Sequence, residues 1–208
     1  MSWLKIETGG RPLIVAVPNK CGSTSILHWL HKIHFKRPYN GEGIHGEKCW
    51  RKMLVPIYAE EKGAVKVAIH RDGVDRLIST YRRWVLGSNV TDICTNEDSF
   101  ANNLCVAMNR SKIVTHHVKH QARWLGGDVS SFNVVLPLPD LHELPEVVSD
   151  LVGVKLPEMP HEHPPRQVDI PAVEELEPQT RKLMEAFVAY DTLLGWDGKT
   201  RRLSLGSL

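Results

Sequence analysis

The sequence predicts an α/β domain with a central parallel sheet flanked by helices. Three observations carry that reading. Apolar runs of strand length recur at residues 13–17, 64–69 and 132–138. Turn-forming residues follow each run, and apolar residues at helical spacing follow the first two. Buried strands alternating with helices require right-handed crossovers, which make neighbouring strands parallel.

Residues 1–11 read as a polar lead-in. The run at 13–17 is too short for a helix and lacks polar alternation, which suits a strand covered on both faces. It breaks at Pro18, and Lys20, Cys21, Gly22, Ser23, Thr24 and Ser25 follow. Ile26, Leu27, Trp29, Leu30 and Ile33 then mark a helix. A polar loop between strand and helix aims N–H groups, hydroxyls and the helix dipole at one spot, which fits a phosphate-like group. Gly22 lets the backbone approach such a ligand closely. The loop is not a Walker A motif, because Lys20 precedes its only glycine.

Residues 35–48 are polar and glycine-rich, hence a loop. Trp50, Met53, Leu54 and Ile57 have helical spacing, with Pro56 limiting that helix. The second strand ends in His70, Arg71 and Asp72, and Gly73 turns the chain. Val74, Leu77, Ile78, Tyr81 and Val85 predict a long helix to about Gly87. The ligand is expected at the strand C-termini, where Lys20 and Arg71 both fall.

Residues 88–97 are polar and irregular. Asp98 or Ser99 is placed to cap a helix carrying Phe100, Leu104, Ala107 and Met108. A helix over 111–125 would turn Ile113, Val114, Val118, Ala122 and Leu125 inward and stop at Gly126 and Gly127. The third strand ends at Pro137 and Pro139, and Asp140 opens a short helix. Five prolines within 155–172 predict an extended surface loop. A last helix over 178–194 presents Leu183, Phe187, Tyr190 and Leu194 to the core and stops at Gly195.

At 208 residues the chain has the size of one domain. A net charge of +2 argues against bulk nucleic-acid binding. No apolar run is long enough to span a membrane, and the N-terminus lacks a signal-peptide pattern, so a soluble cytoplasmic protein is expected. The four cysteines have no CxxC spacing and read as mostly free thiols, with a Cys94–Cys105 bridge left open for an exported chain. His116 and His120, and His161 and His163, lack a convincing third ligand, so no metal is expected. His70 reads as a buried core residue.

Two segments resemble one known family. Pro18-x-Lys20-x-Gly22-Ser23-Thr24-Ser25 resembles the 5′-phosphosulfate loop of sulfotransferases that use 3′-phosphoadenosine 5′-phosphosulfate (PAPS). Arg71-Asp72-x-x-x-Arg76-x-x-Ser79-x-Tyr81 resembles the 3′-phosphate segment of the same family, with Gly73 where proline is usual. The resemblance implies a three-layer P-loop-like fold and PAPS as the cofactor. It also implies that residues 20–25 hold the 5′-phosphosulfate, and that Arg71 and Ser79 hold the 3′-phosphate. Lys20 would neutralise the leaving phosphate, so no metal is required. Arg166, in the proline-rich loop, either folds over the nucleotide, as basic residues do in some members of that family, or is a solvated loop arginine, which is the preferred reading.

The wider likeness is diffuse. His117-x-x-His120-Gln121-x-x-Trp124-Leu125 is similar to a stretch of second-family carbohydrate sulfotransferases, with His120 in place of proline. Tyr190-Asp191 is similar to that family's C-terminal ending. A saccharide hydroxyl is therefore the expected acceptor. The base is sought among Glu42, His45 and Glu47, since His45-Gly46-Glu47 resembles the His-Gly-His of heparan sulfate 2-O-sulfotransferases. His45 is preferred over Glu47, because imidazole needs less adjustment to act near neutrality. The competing readings are a kinase with an atypical phosphate loop and a non-catalytic module that binds adenosine bisphosphate or a glycan.

Overall fold

The computed structural model describes residues 2–41, 43–46, 48–56, 61–81, 83, 100–126, 129–160, 178–192 and 201–202. Among the described residues six strands form one sheet: β1 (Ser2–Ile6), β2 (Leu13–Ala16), β3 (Leu54–Pro56), β4 (Val65–His70), β5 (Val134–Pro137) and β6 (Arg201–Arg202). Their order is β3-β1-β2-β4-β5-β6. The central strands β2, β4 and β5, all expected from the apolar runs, are parallel. The edges are antiparallel, so the sheet is mixed.

Two edge strands correct the sequence reading. Residues 1–11 are not merely a lead-in, because Ser2–Ile6 is β1, paired with both β2 and β3. Lys5 interrupts its apolar residues and hides the strand in the sequence. The helix expected through Ile57 stops early, as α2 (Trp50–Met53), and Leu54 turns extended at ψ 128°. Pro56 is the cause: it disfavours helix at Val55 and is tolerated at a sheet edge.

Alternation along the central strands divides the core. Leu13, Val15, Val67, Ile69 and Leu136 face one way. They pack on Ile26, Trp29, Leu30 and Ile33 of α1 (Ser23–Phe35) and on Val147, Val148 and Val152 of α7 (Leu144–Val152). Ile14, Ala16, Ala68 and Val135 face the other way, against Trp3, Leu125, Val129 and Phe132. Each fully buried Ile, Leu, Val or Phe contributes about 1.5–3 kcal/mol of burial free energy. Leu156 also enters the core, and Trp29 donates its indole N–H to Pro157 O at 2.6 Å. The start of the expected surface loop is thus tied down.

A second cluster joins α3 (Gly73–Tyr81), α4 (Phe100–Arg110), α5 (Lys112–Val118) and α8 (Pro178–Thr192). The helix read over 111–125 divides into α5 and α6 (Ala122–Leu125), because the chain turns extended at Lys119. Ser111 caps α5 by accepting the Val114 N–H, and Gly126 ends α6 in the left-handed region at φ 82°. Ile113, expected inward, is half exposed. On α8 the inward face is Met184, Val188 and Asp191, whereas Leu183 and Phe187 are exposed. A buried carboxylate on that face is invisible to an apolar count. The helix expected at Asp140 begins earlier, as a 3-10 segment at Leu138–Glu143 that leads into α7. Val85, Gly87, Asp98, Ser99, Gly127, residues 161–172, Leu194 and Gly195 lie outside the described residues. No described helix is long and apolar enough to cross a membrane.

Candidate functional site

The register pairs Ala16 of β2 with Ala68 of β4, so β2 ends two residues before β4 and both C-terminal ends lie on one edge of the sheet. Beyond them lie the loop at 17–22 and the segment Arg71-Asp72. Cys21 N–H donates to Pro18 O at 3.2 Å, which closes a tight turn. Lys20 inside that turn has φ 66°, and Gly22 has φ 74°. For lysine the left-handed region costs about 1–2 kcal/mol. Gly22 is required twice over, since a Cβ there would also stand 2.8 Å from Leu138 Cδ1 and 2.9 Å from Leu141 Cδ2. Gly22 starts α1 without a side-chain cap, and the first turn holds no acidic residue. The half-buried Ser23, Thr24 and Ser25 supply hydroxyls there.

The second strand end meets this loop. Arg71 donates from one guanidinium nitrogen to Lys20 O at 3.4 Å. Burial, then the positive charges of Arg71 and Arg83, pull the Lys20 ammonium down to about 8. Among the described residues no carboxylate is placed to oppose that fall. Asp72 is a helix cap: one carboxylate oxygen accepts the N–H of Val74 at 2.9 Å and of Asp75 at 3.0 Å. Ser79 is half buried on α3.

The loop bearing the expected base also reaches the rim. Ile44 is buried, and its carbonyl accepts the Trp50 indole N–H at 2.7 Å, which pins the 3-10 turn Ile44–Gly46. His45 is exposed, with Nε2 3.0 Å from Thr24 Oγ1. His117 joins the group from α5. Its Nδ1–H donates to Ile113 O at 2.8 Å. Burial chiefly lowers its pKa, the Ile113 bond opposes this, and the charges of Lys20, His116 and His45 lower it further. Lys20, Arg71, His45 and His117 therefore share one electropositive rim.

One expectation changes. Cys21 is fully buried: its N–H goes to Pro18, and its thiol donates to Gln121 Oε1 at 3.3 Å, so it presents neither group to a ligand. Burial pushes that thiol up to about 12. His70 is buried as expected, and burial lowers its imidazole to about 3. Glu42, Glu47, Cys94, His161, His163 and Arg166, and the Cys105 side chain, lie outside the described residues. Cys49 is half buried. His120 stacks on Phe187, and His116 meets Trp124 edge-on. Among the described residues no cluster of three metal-ligating side chains occurs.

Three residues without an assigned role in the sequence reading hold the rim in place. Gln121 bonds both backbone groups of Arg71. Arg76 is fully buried, donates to His117 O at 2.7 Å, and lies 3.7 Å from Asp191 Oδ2. Asp191 Oδ1 accepts the Ala122 N–H at 3.1 Å. In the sequence Arg76 lies inside the arginine–serine pattern, Gln121 and Asp191 lie inside the two diffuse likenesses, and Asp191 falls in step with Met184 and Val188. A cavity of about 630 Å³ lined by Phe35, Cys49, Lys52 and Met53 lies at the opposite end of α1, away from the rim.

No family model, curated protein or solved structure matches the chain.

Proposed function

We propose that this protein is a PAPS-dependent sulfotransferase with a P-loop-like three-layer fold, acting on the hydroxyl of a saccharide. The observation that supports this best is the contact of the Arg71 guanidinium with Lys20 O, which puts the two phosphate-binding segments against each other. The donor set suits a doubly phosphorylated adenosine. An ammonium, three hydroxyls and an uncapped helix start suit one phosphate, and a guanidinium with a helical hydroxyl suits the other.

When bound, PAPS would supply a sulfuryl group to the acceptor hydroxyl, with adenosine 3′,5′-bisphosphate as the leaving group. Lys20 neutralises the charge that develops on the departing phosphate oxygen. Ser23, Thr24 and Ser25 hold that phosphate in line, and Arg71 and Ser79 hold the 3′-phosphate. His45, or Glu47, accepts the proton of the acceptor hydroxyl. His45 is favoured, because its ring already meets Thr24 in the phosphate loop.

Calorimetry with 3′-phosphoadenosine 5′-phosphate, with and without magnesium, tests the reading. Metal-independent binding supports it, whereas a preference for ATP that depends on magnesium points to a kinase. Turnover of labelled PAPS against a saccharide panel then separates enzyme from binder.

A further inference from the structure

We infer that Gln121 is a positioning residue that couples the two phosphate-binding loops, so that the 5′- and 3′-phosphates of one nucleotide are bound together. The inference rests on the sulfotransferase reading and adds a residue to its machinery. β2 ends at Ala16, so its ladder with β4 stops short of Arg71, and the two loops leave toward different helices. The carboxamide of Gln121 takes the place of the missing ladder. Its Nε2 donates to Arg71 O at 2.7 Å, and its Oε1 accepts the Arg71 N–H at 3.0 Å. The same Oε1 accepts the Cys21 thiol at 3.3 Å. One buried amide thus grips the backbone of the 3′-phosphate arginine and the residue between Lys20 and Gly22.

The pattern fixes the amide's orientation, since a flipped group would set donor against donor and acceptor against acceptor. Its own position is fixed from behind. Asp191 of α8 holds the next residue by the Ala122 N–H, and Arg76 holds the carbonyls of His117 and Val118. Gln121 is therefore the contact through which α3, α5 and α8 set the spacing of the two loops.

The test compares two probes, 3′-phosphoadenosine 5′-phosphate and adenosine 5′-phosphate, by calorimetry on the full chain. The quantity read is the affinity ratio between them, with Tm followed in parallel. In the wild type the bisphosphate binds more tightly. In Gln121→Leu that preference shrinks by about tenfold, the size of a typical coupling between two sites, while the monophosphate affinity changes less than about twofold. Gln121→Glu serves if the leucine variant does not fold: it can still accept from the Arg71 N–H, but as a carboxylate it has nothing to donate to Arg71 O. It should show the same loss of preference. A folded variant that keeps the wild-type ratio, or weakens both nucleotides equally, overturns the coupling role and leaves the sulfotransferase reading intact. A wild-type chain that binds neither nucleotide overturns both.

Discussion

Nε2 of His45 stands 3.0 Å from Oγ1 of Thr24, joining a loop to the first turn of α1 across 21 residues of sequence. The contact sets an imidazole beside the hydroxyls that would hold the 5′-phosphate, where a base for in-line transfer is needed. His45→Ala should lower turnover by about 10²–10⁴-fold while leaving nucleotide affinity nearly unchanged. Glu47→Ala, assayed separately, decides the alternative. Full activity in both variants would remove the segment from the mechanism.

The proposed nucleotide binding should be sensitive to alkali through Lys20. Its pKa in the folded chain is about 8, against an ordinary 10.5, so the free protein loses this charge as pH rises through about 8. A bound phosphate favours the charged ammonium, and binding above that pH must take up a proton. Affinity for the bisphosphate should be flat at neutral pH and fall by up to about tenfold per pH unit above 8. Lys20→Asn tolerates the left-handed backbone and lacks the charge. Calorimetry on it should show weak binding without that alkaline fall.

The Arg76–Asp191 pair is a buried ion pair whose halves depend on each other. Asp191→Asn keeps the side-chain oxygen that Ala122 N–H needs but strands the Arg76 charge, at a cost of about 3–5 kcal/mol. Arg76→Met should cost a similar amount by stranding the carboxylate. The double variant should be clearly more stable than the sum of the single changes, as urea midpoints would show. Strict additivity would mean that the two groups do not interact.

His70 sets an acid limit on stability. It stays neutral in the fold down to about 3, whereas the unfolded chain takes up a proton near 6.5. Stability is therefore lost as pH falls from 6.5 toward 3. The loss amounts to about 2.5 kcal/mol by about pH 4.5. His70→Gln removes that term. Its urea midpoint should fall less between neutral pH and about pH 4.5 than that of the wild type.

Gly73 stands where the motif it resembles carries proline, and it packs closely against α8. A Cβ at Gly73 would lie 2.6 Å from Val188 Cβ. Gly73→Ala should cost about 1–3 kcal/mol by overpacking. Val188→Ala should recover part of that loss in the double variant, measured by thermal unfolding. A neutral Gly73→Ala would show that α8 yields at this point.

The parts of the rim that were legible in the sequence are local. The apolar run before Pro18, the loop around Gly22 and the helix after it are all written within about twenty residues, and Asp72 sits directly before the helix it caps. β1 was hidden because Lys5 breaks its pattern, and its pairing with β3 depends on residues about fifty positions away. The inward face of α8 is hidden in the sequence because Asp191 is buried beside Arg76, a partner on another helix. Gln121 carried no signal of its role, since its partners at Cys21 and Arg71 lie 100 and 50 residues away.

The sequence by itself determined the three central strands, the helix that follows the Lys20 loop, and the placing of Lys20 and Arg71 at strand ends. Those features follow from hydrophobic spacing and turn chemistry, which act over a few neighbouring residues. Tertiary structure alone decided the antiparallel edges, the rotation of α8 and the clamp that Gln121 makes between the two loops. Those depend on which buried donor meets which acceptor, and that pairing exists only once distant segments have packed together.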